Sequence, residues 1–381
     1  MEFFSLLFKK KENGLNKKNK IFEAIQVEVS SVCNLKCKFC PTTYLNEKGE
    51  NMLMSWETFQ KLQSLFSKAK WVYLQGWGEP LLHPKIWEMV AMIKKEGARV
   101  GFTTNGTLLN EKAITNLIEY QVDLISTSIA GATSQTHEKL RCNSNFQNIC
   151  NSIKSLVKKK KMEKSKKPLV TLSYMLIKEN IVELPQAVKL AYELGVEDIY
   201  TTNLDYVFSE EANQSKIFVW DKSLVNSSHE EYIQEAKKFA QSKDFTFRSY
   251  PIILEEEQAV CALNPSKLVF ITANGDVTPC TYLGRKYNPR YYKNKYVQWP
   301  RKVFGNINDQ EFIKIWENPV YKEFRNKFEN RVKAYEELIS VYTDYEPNLT
   351  KINNAQRNYY QRLKENPLPV ECQSCPKIYG I

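Results

Sequence analysis

The sequence predicts an α/β fold: a parallel sheet that curls into a partial barrel, followed by a smaller region built on a β-hairpin and helices. Three observations carry this. Between residues 25 and 245, short runs of strand character alternate with runs of helical period. The alternation repeats six times in series, and parallel strands joined by helices require right-handed crossovers. Beyond the acidic run Glu255-Glu256-Glu257 the alternation stops, and an Asn274-Gly275 turn signal takes its place.

Residues 25–30 alternate apolar and polar side chains, as a half-buried strand does. Residues 55–66 set Trp56, Phe59, Leu62 and Phe66 on one helical face, with Ser55 as N-cap. Residues 71–76 form the second strand. Ile86, Val90 and Ile93 stripe the next helix, which Gly97 ends. The third strand is 100–104, followed by a helix through Ala113, Leu117 and Ile118, and the fourth is 124–129. Phe146, Ile149, Cys150, Ile153, Leu156 and Val157 stripe a longer helix before the fifth strand, 169–176. Leu184, Val188, Ala191 and Leu194 mark the helix after it, and 199–204 with a helix at 232–240 completes the series. The working end of such a TIM-like (β/α)6 barrel is the C-terminal edge of its strands.

In the second region, 268–272 and 276–278 flank the Asn-Gly turn, 285–302 is rich in tyrosine and basic residues, and 311–316, 321–332 and much of 333–365 are helical. The expected division is an extension over 1–24, a core over 25–254 and a smaller region over 255–381.

Hydrophobic residues are 43% and charged residues 25%, the balance of a soluble globular protein rather than a disordered or fibrous one. No apolar run reaches the ~18 residues of a membrane span. The apolar stretch at the N-terminus precedes its positive charges, the wrong order for a signal peptide, so the cytoplasm is the expected compartment. Net charge is +11, but its densest run, Lys158 to Lys161 with Lys164, Lys166 and Lys167, reads as a solvated loop; nucleic acid is not an expected partner. A chain of 381 residues buries ~75% of its unfolded surface and needs no disulfides, yet it holds nine cysteines against three histidines. In a reducing compartment clustered cysteines are metal ligands.

Cys33-x3-Cys37-x2-Cys40 follows the first strand at the working edge. Three thiolates can hold a cubane iron–sulfur cluster with one iron left open; a structural zinc knuckle with a distant fourth ligand fits the same spacing, and spacing alone leaves both readings standing. A second set, Cys261, Cys280, Cys372 and Cys375, suffices for a fully ligated cluster and equally for tetrahedral zinc.

The first set, together with motifs at successive strand ends, resembles the radical S-adenosylmethionine (SAM) superfamily. Gly76-Trp77-Gly78-Glu79-Pro80 resembles the glycine–glutamate motif that holds the SAM amino group. Thr104 and Asn105 end strand three, where the family contacts SAM, and Ser126 and Ser128 lie on strand four, where it touches ribose and carboxylate. Arg141 resembles the arginine that pairs with the carboxylate, Asn203 lies near the adenine, and Phe39 resembles the aromatic whose backbone meets it. Ala130 stands where many relatives have aspartate, which puts one polar contact in doubt. The second set, with Gly275-x4-Cys280, Gly305-Asn306-Ile307 and Ile315-Trp316, resembles the reduced "twitch" form of the SPASM domain.

The resemblance implies SAM and two [4Fe–4S] clusters, one SAM-binding and one auxiliary. It implies reductive cleavage of SAM to a 5′-deoxyadenosyl radical, hydrogen abstraction from a substrate carbon, and oxidation of the substrate radical through the auxiliary cluster. The four-cysteine set is similar to twitch enzymes that oxidise alcohols, and less like those that leave an iron free for substrate. The expected partners are an electron donor such as flavodoxin or ferredoxin and a small-molecule or peptide substrate. Only about two dozen residues precede the first strand, few for a peptide-recognition domain, so the small molecule leads and a peptide or protein maturase is the alternative.

Of the remaining residues, Asp205 is a candidate base and Cys142 a candidate hydrogen-atom donor, each near the working edge. Cys150 reads as buried packing, and His83 and His137 as structural. Segments 285–302 and 330–365 are long enough to cover the barrel mouth.

Overall fold

The computed structural model describes residues 20–46, 52–254, 256–284, 290–343 and 348–381. Most of the expected 1–24 extension and part of the tyrosine-rich 285–302 segment lie outside the described residues.

The strands are β1 (Phe22–Val27), β2 (Lys36–Cys37), β3 (Ala69–Tyr73), β4 (Arg99–Thr104), β5 (Leu124–Ile129), β6 (Arg141–Cys142), β7 (Leu169–Leu176), β8 (Asp198–Asn203) and β9 (Thr246–Arg248). The chain continues with β10 (Leu268–Ile271), β11 (Asp276–Thr278), β12 (Arg290–Tyr292), β13 (Lys295–Val297) and β14 (Gly305–Asn306). Ten of them make one sheet in the order β14-β11-β10-β1-β3-β4-β5-β7-β8-β9. From β10 to β9 every pairing is parallel, while β11 and β14 add antiparallel at one edge. The sheet stays open, as a partial barrel does.

The six expected strands are all present. The first starts earlier than read, at Phe22, because its buried positions do not alternate: Phe22, Ala24, Ile25, Gln26 and Val27 are all covered. Two further parallel strands flank the six. β9 is only three residues long and carries no turn signal. β10 is the first arm of the Asn-Gly hairpin, and it pairs parallel with β1, so the hairpin extends the barrel sheet across residue 254. The helix read over 55–66 is two pieces, Trp56–Gln60 and Gln63–Phe66, with Ser55 capping the first through the Thr58 amide.

The striped helices bury the predicted faces. Phe146–Met162 covers Phe146, Ile149, Cys150, Ile153, Leu156 and Val157. Leu184–Leu194 ends on Gly195 in the left-handed region. Helices Pro319–Tyr342 and Leu349–Glu365 pack on each other around Ala334 and Tyr359. Arg331, 1% exposed, anchors the pair by donating to the carbonyls of Ala259, Gln258 and Asn366. β12 and β13 form a hairpin that the sequence reading missed. Its turn, Lys293-Asn294, has positive φ at both residues, and Lys at the first position hides that signal.

Glu28, just past β1, ties three segments together at the working edge. Its carboxylate accepts from the Trp77 amide at 3.0 Å and the Ala273 amide at 3.3 Å, and its own amide donates to the Ile271 carbonyl at 2.8 Å. Replacing Glu28 with Leu removes both carboxylate contacts at a buried position. Each amide left without an acceptor costs roughly 1–3 kcal/mol, so the Glu28→Leu apo-chain is expected to unfold at a clearly lower denaturant midpoint with unchanged slope.

Candidate functional site

Cys33, Cys37 and Cys40 lie on the loop between β1 and the helix Pro41–Asn46, all three half-buried. The short β2–β6 pairing sets Cys37 opposite Arg141. The Cys40 amide donates to the Cys37 carbonyl at 3.2 Å, closing a turn that turns the loop back on itself. Asn105 reaches in from the end of β4, its Nδ2 3.7 Å from the Cys33 sulfur and 2.8 Å from Asn34 Oδ1. Burial pushes the Cys33 thiol up, and pushes Cys37 up to about 11 against the pull of Arg141. A buried thiol set of this kind becomes anionic when a cationic metal centre takes the proton's place.

The loop after β3 lies directly against this one. The Glu79 amide donates to the Val32 carbonyl at 2.8 Å. A Cβ on Gly78 would fall 2.4 Å from the Ser30 carbonyl oxygen, and one on Gly76 would fall 2.4 Å from the Glu28 side chain. Both glycines are therefore close-approach positions that let the two loops touch.

Glu79 is 2% exposed and takes three donors: Thr104 Oγ1 at 2.7 Å, the Asn105 amide at 2.7 Å and the Leu81 amide at 3.1 Å. Burial still holds its carboxyl above the usual range. Among the described residues no lysine or arginine ion-pairs with it, so a ligand ammonium would supply the missing charge. Arg141 is complementary: its Nε is buried without a partner, as a site for a ligand carboxylate would leave it. Asn203 at the end of β8 donates through Nδ2 to the Pro251 carbonyl at 3.0 Å, and its Oδ1 is buried without a donor. Ser126 Oγ lies 3.0 Å from the Tyr200 hydroxyl, and Ser128 follows on the same face of β5. Phe39 is buried beside Ala130, Leu140 and Leu204. Burial, with Arg141 adding to it, pushes His137 down to about 3, so its imidazole is neutral and structural.

The second set converges independently. Cys261, Cys280, Cys372 and Cys375 line one cavity, walled by Tyr282, Trp299 and Lys377. Burial raises all four thiols, Cys280 to about 12. Four buried thiols lining one cavity match the ligand number of a cubane [4Fe–4S] cluster.

Asp205 and Cys142 stand apart from this pattern. Asp205 accepts from the Tyr282 hydroxyl at 2.9 and 3.1 Å and ion-pairs with Lys377, so it joins the β8 end to the second cysteine set. Cys142 is exposed and points its sulfur at the Lys139 carbonyl, 3.7 Å away. The sequence reading missed Glu28, Tyr282 and Lys377. The latter two follow Cys280 and Cys375 by two residues, an offset that could have singled them out.

The family profile described as "Radical SAM superfamily" matches residues 27–191, and the SPASM profile, an iron–sulfur cluster-binding domain, matches 261–337. A "Tungsten-containing aldehyde ferredoxin oxidoreductase cofactor-modifying protein" of Pyrococcus furiosus is 27% identical over 79% of this chain and 82% of its own. An "AdoMet-dependent heme synthase" of Methanosarcina barkeri is 25% identical over 81% and 86%. Among solved structures, Streptococcus suis SuiB bound to S-adenosylmethionine superposes with a TM-score of 0.58 at 14% identity, over 80% of this chain and 68% of that one. Native anSMEcpe with bound AdoMet and a Cp18Cys peptide gives 0.54 at 15% identity, over 90% and 96%. These two share the fold. No helix among the described residues is long and apolar enough to cross a membrane. The two domains imply SAM, a SAM-binding [4Fe–4S] cluster and an auxiliary one, and the donor sets above fit them. Residues 27–191 form a radical SAM domain and residues 261–337 a SPASM iron–sulfur cluster-binding domain, the domain pair of an enzyme.

Proposed function

We propose that this enzyme is an oxidoreductase that removes two electrons and two protons from a small molecule or cofactor precursor. When bound, SAM and its reduced cluster supply a 5′-deoxyadenosyl radical that takes a hydrogen atom from a substrate carbon, and the auxiliary cluster accepts the second electron. The substrate also loses one proton to solvent or a nearby base, which balances a two-electron oxidation. The observation that carries the reading is the enclosure of Cys261, Cys280, Cys372 and Cys375 around one cavity. Four thiolates saturate a cubane, leaving no iron for substrate and favouring electron transfer as its task.

In this reading Cys33, Cys37 and Cys40 hold the first cluster and leave one iron open. Glu79 and Arg141 hold the SAM amino and carboxylate groups. Thr104 and Asn105 orient Glu79, while Phe39, Ser126, Ser128 and Asn203 enclose the adenosine. Residues 25–254 generate the radical and 255–381 carry the auxiliary cluster. A flavodoxin or ferredoxin of the cytoplasm delivers the first electron. The two relatives described above, a cofactor-modifying protein and a heme synthase, support a cofactor-like substrate over a peptide.

Anaerobic reconstitution tests the reading. About eight irons per chain are expected, with 5′-deoxyadenosine formed on adding SAM and reductant. Cys33→Ala should abolish that product and keep about four irons. Cys280→Ala should also fall to about four irons, yet still cleave SAM without oxidising substrate. Substrate oxidation surviving Cys280→Ala would refute electron acceptance by the auxiliary site. Turnover of a co-encoded peptide, with none of cofactor precursors, would favour the maturase reading.

Glu79→Gln tests the SAM contact. An amide nitrogen in place of either carboxylate oxygen faces the Asn105 or Leu81 amide, donor against donor. Loss of that charge and fit should weaken SAM binding at least tenfold, about 1.4 kcal/mol, in an equilibrium titration of the reconstituted protein.

A further inference from the structure

Behind the aromatic wall of the auxiliary cavity lies Arg290, 1% exposed. Its guanidinium is sandwiched between two rings, 3.4 Å from the Tyr206 centroid and 3.6 Å from that of Trp299. Nη2 donates to the Tyr282 carbonyl at 2.8 Å. Nε and Nη1 are buried with no acceptor in hydrogen-bond geometry, and the Tyr206 hydroxyl acts on the guanidinium from beside it. Among the described residues no carboxylate ion-pairs with it. Arginine does not shed its proton in proteins, so this is a buried charge held by rings and neutral acceptors.

The arrangement has a direction. Trp299 and Tyr282, which hold the guanidinium, also line the cavity of the four cysteines. Arg290 lies within electrostatic reach of Cys280 and Cys375. The other cation at this wall, Lys377, is already paired with Asp205. Arg290 is thus a fixed positive charge whose nearby anions are the cage thiolates.

We propose that Arg290 sets the reduction potential of the auxiliary cluster, holding it high enough to accept an electron. This deepens the oxidoreductase reading and rests on a four-thiolate cluster at that site. Such a cluster carries net negative charge and gains one more unit on one-electron reduction, with no proton taken up. A buried, dehydrated cation stabilises the reduced state more than the oxidised one. Potentials of these clusters respond to local charge and to burial in this way. Ring stacking keeps the guanidinium dry and in place without an acid that would cancel it.

The test is an EPR-monitored redox titration of the reconstituted full chain with dithionite as reductant. It is repeated in Cys33→Ala, which holds only the auxiliary cluster. Arg290→Gln and Arg290→Met should each lower the auxiliary midpoint by at least about 59 mV, a tenfold change in the oxidised-to-reduced ratio for a one-electron couple. Arg290→Lys, which keeps the charge, should move it by less than half as much. An unchanged midpoint in a fully loaded Gln or Met variant overturns the proposal, and so does a Lys variant that shifts as far as they do. If neither uncharged variant loads iron while Lys loads fully, the charge is needed even to assemble the cluster, which supports the proposal. If Lys fails to load as well, the role is packing and the proposal falls. Fewer than about eight irons in the unaltered enzyme would instead count against the two-cluster reading.

Discussion

The parallel pairing of β1 on both of its sides is the constraint on which the rest of this molecule depends. Val27 registers with Ile271 of β10, and Gln26 with Tyr73 of β3. All three strands therefore end at one edge and release their loops side by side. The first cysteine loop emerges in the middle, the Gly76–Glu79 loop on one flank and the hairpin leading to Cys280 on the other. Glu28 fastens the three where they part. A parallel strand buried on both sides admits little slippage, since a one-residue shift would turn its covered side chains to the wrong face. The two cysteine sets thus take their relative position from backbone pairing more than from side-chain contact.

The charges at this edge are arranged for partners the polypeptide does not supply. Among the described residues no lysine or arginine ion-pairs with buried Glu79, Arg141 keeps a buried donor unmet, and no carboxylate ion-pairs with Arg290. Taken alone, each is a cost to folding, because buried polar groups are satisfied in most native structures. Their positions resolve the cost. In the proposed reading Glu79 and Arg141 carry opposite signs beside the three-thiol loop, for the amino and carboxylate groups of SAM. Arg290 stands against a four-thiolate cage of opposite sign. Asp205 and Lys377, in contrast, neutralise each other and join the two halves with Tyr282.

Much of this was legible in the chain. The six central strands and their helices follow from periodicity, and the ligand candidates follow from cysteine spacing and motif order along the strand ends. What was hidden has physical reasons. β9 is too short to show a period. The β12–β13 turn uses Lys293 where glycine or asparagine would have announced it. The β10–β1 pairing joins segments some 240 positions apart, which no local pattern can report. Arg290 looked like one more basic residue in a basic segment, since burial is invisible in composition. Gly76 and Gly78 were read as cofactor contacts, and the structure adds a reason of its own: they are where two loops touch.

The β1–β10 pairing also imposes an order in time. β1 leaves the ribosome well before its second neighbour, which lies some 240 positions downstream. At translation rates of about 5–20 residues per second, roughly 10–50 s separate the two. Through that interval one edge of β1 has no partner and offers its backbone to any other strand. The cysteine loop meanwhile lacks the hairpin that will stand beside it. Until residues 268–271 arrive and pair with β1, that sheet edge is open to aggregation, and their pairing closes it.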